Sequence, residues 1–424
     1  MPRIEKLSGR EILDSRGQPT VLATCFLDSG VSASASVPSG ASRGAAEAFE
    51  LRDGDAKRYQ GLGCRRAAAN VSGALHHEFA GRSITDQAEL DAAMIALDGT
   101  PTKSRLGANA ILAVSVAFAR ASALHLQRPL YQHFADLLGS TIAALPRLTI
   151  NLFSGGKHAG QQVSIQDVLI IPMSAATVDA ALVMACDVYR AAAELIFARY
   201  GMRLLTADEG GLAPPCKTAQ EMIALAVEAI ERAGYIAGKE VALGIDVAST
   251  HFYKNQRYEI DSRTLDSTGM IEAIMNWLQE FPIISVEDGL AEDDWANWPK
   301  LRQALAGRAL TLGDDLLCTN PGRIQRAIEA GACDALLLKV NQVGTLTEAL
   351  AAYRQARSAG WSVTLSVRSG ETEDNWASDL ATGWQADQFK NGSIRQSERL
   401  AKYNRLLEIA EDKNWPLVPW PGRG

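Results

Sequence analysis

The chain has 424 residues, 47% of them apolar, enough for a sizeable core and for one large domain beside a smaller one. A net charge of −7, with no run of lysine and arginine interleaved with aromatics, excludes a polyanion-binding surface and predicts no nucleic-acid partner. The longest uncharged apolar-rich run, near 107–119, stops at Arg120 and is too short to span a bilayer, so no membrane partner is expected.

Residues 3–36 alternate as strands do: Ile4 to Ile12, Thr20 to Leu27 and Val31 to Ser36, with turns at Gly17 and at Asp28-Ser-Gly30. They predict an antiparallel meander. Val37-Pro-Ser-Gly-Ala-Ser-Arg-Gly44 follows, a small-residue loop suited to a mobile lid whose backbone and Ser42 approach an anion or its metal. From about 64 to 136 the pattern is helical, clearest over Asn109–Leu126, where Ile111, Leu112, Val114, Ala117, Phe118 and Ala121 recur at helical spacing. The first third is therefore a small α+β domain, 1–136, and Gly139 to Pro146 leads into a second, 137–424.

In the second domain strands and helices mostly alternate. Strands are predicted at 148–152, 166–171, 203–206, 241–246, 283–287, 309–314, 335–339 and 362–366, with a shorter one near 386–389. Helices fall between many of them, at 177–199, 218–233, 268–279, 321–330 and 345–358. The repetition predicts a barrel of parallel strands, a (β/α)8-type fold with an irregular opening. Six cysteines lie scattered with no Cys-x-x-Cys spacing, and the start, Met1-Pro-Arg-Ile-Glu-Lys, has no apolar signal core. Both suit a reduced, cytoplasmic protein.

In such a barrel chemistry collects at the carboxyl ends of the strands. Here four successive strands end in Asp246, Glu287, Asp314 and Lys339, spaced 41, 27 and 25 residues apart, each about one strand–helix unit. A helix N-cap also puts an acidic residue after a strand. Three in succession followed by a lysine fit a site better. Three carboxylates in one cleft repel unless a cation joins them, and an all-oxygen set without cysteine or histidine favours Mg²⁺. Lys339 ends the buried run Ala335-Leu-Leu-Leu. Desolvation there is expected to lower its proton affinity and fit it to act as a base. A lysine base beside a cation suggests proton abstraction next to a carboxylate.

The chain resembles the enolase family from end to end. The matching stretches include Gly9-Arg-Glu-Ile-Leu-Asp-Ser-Arg-Gly-Gln-Pro-Thr20, Pro38-Ser-Gly-Ala-Ser42, Gly107-Ala-Asn-Ala-Ile-Leu-Ala113, Asp208-Glu-Gly-Gly-Leu-Ala-Pro214 and Ser285-Val-Glu-Asp-Gly289. Further matches are Gly313-Asp-Asp-Leu316, Leu338-Lys-Val-Asn-Gln-Val-Gly344, Arg368-Ser-Gly-Glu-Thr-Glu-Asp374 and Lys402-Tyr-Asn-Arg-Leu406. A lysine or histidine base beside Mg²⁺ is established chemistry for that superfamily. The resemblance implies an enolase-like barrel and dehydration of 2-phospho-D-glycerate to phosphoenolpyruvate in glycolysis or gluconeogenesis. Asp246, Glu287 and Asp314 would hold one Mg²⁺, and Ser42 would close over a second, shared with the substrate phosphate. Lys339 would remove the C2 proton and Glu209 would protonate the C3 hydroxyl. Arg368 and Ser369 would bind phosphate, Lys390 the carboxylate, and His158 and Gln166 would line the pocket. The partners implied are a small phosphorylated carboxylate and a second copy of the chain, in a homodimer or larger assembly.

Three positions depart from the family pattern. Val367 replaces a histidine before Arg368-Ser369, Asp167 replaces a glutamate, and Ser154 replaces the usual asparagine before Gly155-Gly156. Ser154 reads as drift. The other two would lie by Glu209, at the C3 end of the substrate, where valine cannot hydrogen-bond and aspartate reaches one methylene less. An alternative expectation follows: a paralogue acting on a related phospho- or phosphono-carboxylate, such as carboxyphosphonoenolpyruvate synthase, with the metal sites and Lys339 retained. A non-catalytic scaffold would have no need of three clustered carboxylates.

Overall fold

The computed structural model of the chain describes residues 3–41, 44–201 and 205–421, and at His158 the backbone alone. The expected meander is present. β1 (Ile4–Leu13), β2 (Pro19–Leu27) and β3 (Ser32–Ser36) form an antiparallel sheet in that order. Gly17 and Gly30 turn it at φ 71° and 83°, values that favour glycine. The helices α1 (Arg65–Asn70), α2 (His76–Phe79), α3 (Gln87–Asp98), α4 (Ala108–His125) and α5 (Leu130–Leu138) follow. α4 is long and apolar enough to cross a membrane by length and composition, but 83% of it is buried, packed on β2 and β3 as the core of this unit. Asp86 caps α3 by accepting the Glu89 amide at 2.9 Å, and Gly99 ends it in the left-handed conformation.

The rest of the chain is a barrel with its helices outside. In order come β4 (Arg147–Ser154), β5 (Asp167–Pro172), α6 (Val178–Tyr200), α7 (Ala219–Arg232) and β6 (Val241–Asp246). A small antiparallel sheet, β7 (Tyr253–Lys254), β8 (Arg257–Ile260) and β9 (Arg263–Leu265), interrupts the repeat. Regular units then run α8 (Ser267–Glu280), β10 (Ile283–Glu287), α9 (Trp298–Leu305), β11 (Leu310–Gly313), α10 (Pro321–Ala330) and β12 (Ala335–Leu338). They finish with α11 (Leu346–Ser358), β13 (Ser362–Ser366), α12 (Trp376–Gly383), β14 (Gln388–Lys390) and α13 (Ser397–Lys413). β4, β5, β6 and β10 to β14 close the barrel in that order.

Two expectations are corrected. The barrel is not all parallel, because β5 runs antiparallel to both β4 and β6. A parallel pair needs a crossover, normally a helix, and the link from β4 to β5 holds only the short turn Gly156–Ala159. The pair α6 and α7 then brings the chain back beside the end of β5, where Pro172 pairs with Val241. The strand expected at 203–206 is also not seen among the described residues. Residues 203 and 204 lie outside the described residues, and Thr206 makes an isolated bridge to Leu212. The reversal of β5 has a chemical consequence. Its first residue, Asp167, stands at the rim where the parallel strands end, paired with Ser154 on one side and Asp246 on the other.

Candidate active site

Asp246 and Glu287 are the last residues of β6 and β10, Lys390 is the last of β14, and Asp314 and Lys339 follow β11 and β12 directly. Parallel strands of similar length end at one level, so these side chains meet on one rim. There they border a small pocket, whose wall includes Asp246, Asp314, Lys339, Lys390, Glu209 and Arg368.

Charge is balanced within the rim. Lys390 Nζ donates to Asp246 Oδ2 at 2.9 Å and to Glu287 Oε2 at 2.7 Å, and Gln166 Nε2 donates to Asp246 Oδ2 at 3.0 Å. Burial opposes ionisation of Asp246, but the Lys390 ammonium outweighs it and holds this carboxyl below its usual range. Glu287 is driven well above its usual range by burial and by the Asp246 charge. Lys339 is paired with Asp314. The expected lowering of its proton affinity is therefore overturned: burial does act downward, but the Asp314 carboxylate raises it above the ordinary lysine value. Gln342 Nε2 donates to the other oxygen of Asp314 at 3.0 Å.

A cluster of aspartates at this rim could hold a metal. One carboxylate oxygen from each of Asp288, Asp314 and Asp315 lies within 4.8 Å of the others. Asp288 accepts the amides of Asp314 and Asp315 at 3.0 and 2.7 Å, which fixes the turn after β11. Burial, and then the neighbouring Asp314 charge, pushes Asp315 up to about 7. Glu287 Oε1 is buried with no hydrogen-bond partner among the described residues. An orphaned carboxylate oxygen among crowded acids fits a hard divalent cation with oxygen ligands.

On another side of the cavity Arg368 is buried. Its guanidinium donates to Glu47 Oε2 at 3.0 Å and Asn341 Oδ1 at 3.1 Å, while Arg399 holds the Arg368 and Ser369 carbonyls at 2.9 and 2.8 Å. Ser369 Oγ accepts the Ala41 amide at 2.8 Å and Arg16 Nη1 at 3.3 Å, and Ser39 bridges to Gly370. The loop through residue 41 is thus docked on the barrel rim. Ser42, the expected ligand in that loop, lies outside the described residues, as does the His158 side chain.

Glu209, Asp167 and Val367 line the remaining wall. Glu209 sits on a turn that Gly210 permits at φ 83°, where a Cβ would meet the Arg395 carbonyl oxygen at 3.0 Å. Asn151 Nδ2 donates to Glu209 Oε2 at 3.1 Å, and Ser154 Oγ donates to Asp167 Oδ1 at 2.6 Å. The expected site residues with described side chains stand at this rim, but of the three expected metal ligands Asp314 alone belongs to the carboxylate group close enough to share one ion, with Asp288 and Asp315, while Asp246 and Glu287 close on Lys390.

Several others were missed. Asp288 and Asp315 are the second members of the pairs Glu287-Asp288 and Asp314-Asp315, and that doubling was a usable signal. Gln342 lies within the matching stretch Leu338–Gly344, whereas Asn151, Glu47 and His251, which also faces the cavity, carried none.

The chain matches two family descriptions that together span nearly all of it. Residues 4–134 match the family described as the N-terminal domain of enolase, and residues 142–415 match its C-terminal TIM barrel domain. Two domains in this order, with acids and a lysine closing successive barrel strands, identify the chain as a member of the enolase family, within the enolase-superfamily lyases.

Proposed function

We propose that this protein is an Mg²⁺-dependent lyase that dehydrates 2-phospho-D-glycerate to phosphoenolpyruvate, a step of glycolysis and gluconeogenesis. The observation that carries the reading is that Lys339 and Glu209 line one cavity together with Asp246, Asp314 and Arg368. With Asp314 taken up as a metal ligand, its hold on the Lys339 proton would be lost; Lys339, then neutral, accepts the proton from C2, and the electron pair of that bond moves toward the substrate carboxylate. The pair then returns to form the C2–C3 double bond. The C3–O bond breaks, and Glu209 gives its proton to the departing hydroxyl, which leaves as water. Arg368 and Ser369 hold the phosphate, while Lys390 and Gln166 orient the carboxylate end. Asp246, Glu287 and Asp314 are the residues that would hold Mg²⁺, and Ser42 would take part in a second site shared with the phosphate. When bound, Mg²⁺ supplies positive charge where the substrate carboxylate becomes more negative.

A second reading is favoured by one observation. Val367 gives the pocket that Glu209 lines an apolar side chain where the resemblance leads one to expect a histidine, and Asp167 lines it where a longer acid is expected. This suits a paralogue acting on a related phospho- or phosphono-carboxylate with a different C3 group. The deciding experiment is phosphoenolpyruvate formation from 2-phosphoglycerate with Mg²⁺, run beside solvent deuterium exchange at C2. Turnover in both assays supports the first reading. Exchange without elimination replaces it with the second, and neither reaction removes 2-phosphoglycerate as substrate.

A further inference from the structure

The strand β4 carries an irregularity between Asn151 and Phe153 in its pairing with β5. In an unbroken strand, residues 151 and 154 would face opposite sides of the sheet. The extra residue turns both toward the cavity end of the barrel, a known use of bulges beside active sites. One strand thereby delivers two hydrogen-bond donors to two acids: Asn151 to Glu209 and Ser154 to Asp167.

Ser154 touches both acids' surroundings. Its hydroxyl is 2.6 Å from Asp167 Oδ1, and both residues are fully buried. Its amide donates to the Leu212 carbonyl at 2.8 Å, three residues after Glu209. A Cβ at Gly211 would stand 2.5 Å from Ser154 Oγ, so the Glu209 turn rests directly on this hydroxyl. Asp167, one methylene shorter than the family's glutamate, faces a side chain that is also shorter than the family's asparagine. The two departures are in direct contact.

We propose that Ser154 is a positioning residue for the leaving-group half of the site: it aims the Asp167 carboxylate and seats the turn that carries Glu209. This rests on the reading of Glu209 as the acid at C3.

The test is Ser154→Ala. Loss of a hydrogen bond to a charged group, expressed at the elimination step, lowers kcat for phosphoenolpyruvate formation roughly 10- to 100-fold. KM should change little, and C2 deuterium exchange should keep its rate. Parallel loss of exchange and elimination would mean a general structural role and overturns the proposal. In a double-mutant cycle, Ser154→Ala should cost less in an Asp167→Ala background, which lacks the accepting oxygen, than in the wild type, whereas fully additive losses overturn action through Asp167. Crystal structures of the wild type and Ser154→Ala decide the point without any substrate. The Asp167 carboxylate should turn away and residues 207–212 should shift, and unchanged positions overturn the proposal. If the wild type neither exchanges nor eliminates, the functional reading fails and the two structures still decide the role of Ser154.

Discussion

The two halves of the cavity are built on different principles. The half proposed for proton abstraction is ionic: Asp246 and Glu287 share Lys390, and Asp314 holds Lys339. In the half proposed for the leaving group neutral donors reach the acids, Asn151 on Glu209 and Ser154 on Asp167, and the Lys390 charge acts on both from nearby. Removing one member of a buried ion pair leaves an uncompensated charge, at a cost of roughly 3–5 kcal/mol, so the ionic half resists piecemeal change. A neutral donor can be exchanged for another of different length with far less penalty. The three departures expected from the sequence, at Ser154, Asp167 and Val367, all fall on the leaving-group side, where neutral donors and an apolar side chain take part.

The comparison is broken most directly at Lys339. Lys339→Ala should reduce both C2 exchange and elimination by about 10²- to 10⁴-fold, and exchange that persists would remove this lysine as the base. Glu209→Gln should separate the halves. Elimination should fall by a similar factor, about 10²- to 10⁴-fold, with exchange retained, and equal losses in both assays would deny the division. Val367→His sharpens the contrast from the other side. Restoring a polar group beside Glu209 should raise dehydration of 2-phosphoglycerate on the order of tenfold. No change would favour the second reading of the substrate.

The smallest effect on activity is expected far from both halves, at Asp91. This buried acid of α3 accepts Thr347 N and Oγ1 of the barrel at 2.9 and 2.7 Å and Gln87 Nε2 at 3.0 Å. Burial pushes its carboxyl up to about 6. The folded state therefore holds this proton more tightly than the unfolded chain, whose value is near 3.9. The stabilisation is full below about pH 4 and is lost as pH rises through about 6, up to about 3 kcal/mol in all. Asp91→Asn should flatten that part of the wild-type stability profile, read by denaturant unfolding at several pH values, and leave turnover unchanged. An identical slope in the variant would assign the pH dependence to other groups.

Much of the ionic half was legible because it is periodic. Glu287, Asp314 and Lys339 each close the strand of a regular strand–helix unit and Asp246 closes the parallel strand beside them, so their strand ends come to one level. The leaving-group half was less legible because its geometry depends on irregularities. Asn151 and Ser154 share a target only because of the bulge in β4, and Asp167 reaches the rim only because β5 runs backwards. The pairing of Arg368 with Glu47 spans 321 residues and left no local trace. The raised proton affinity of Lys339 was read in the wrong direction, because burial was visible in the run of leucines and the partner carboxylate was not.

Local pattern by itself determined the two-part architecture, most of the barrel strands and the rim acids with their lysine, since these follow from periodicity and from side-chain chemistry at strand ends. Tertiary structure alone decided which charges compensate one another, the reversal of β5, and the partnership of Ser154 with Asp167. Those depend on through-space distances between residues whose separation along the chain carries no information about their contact.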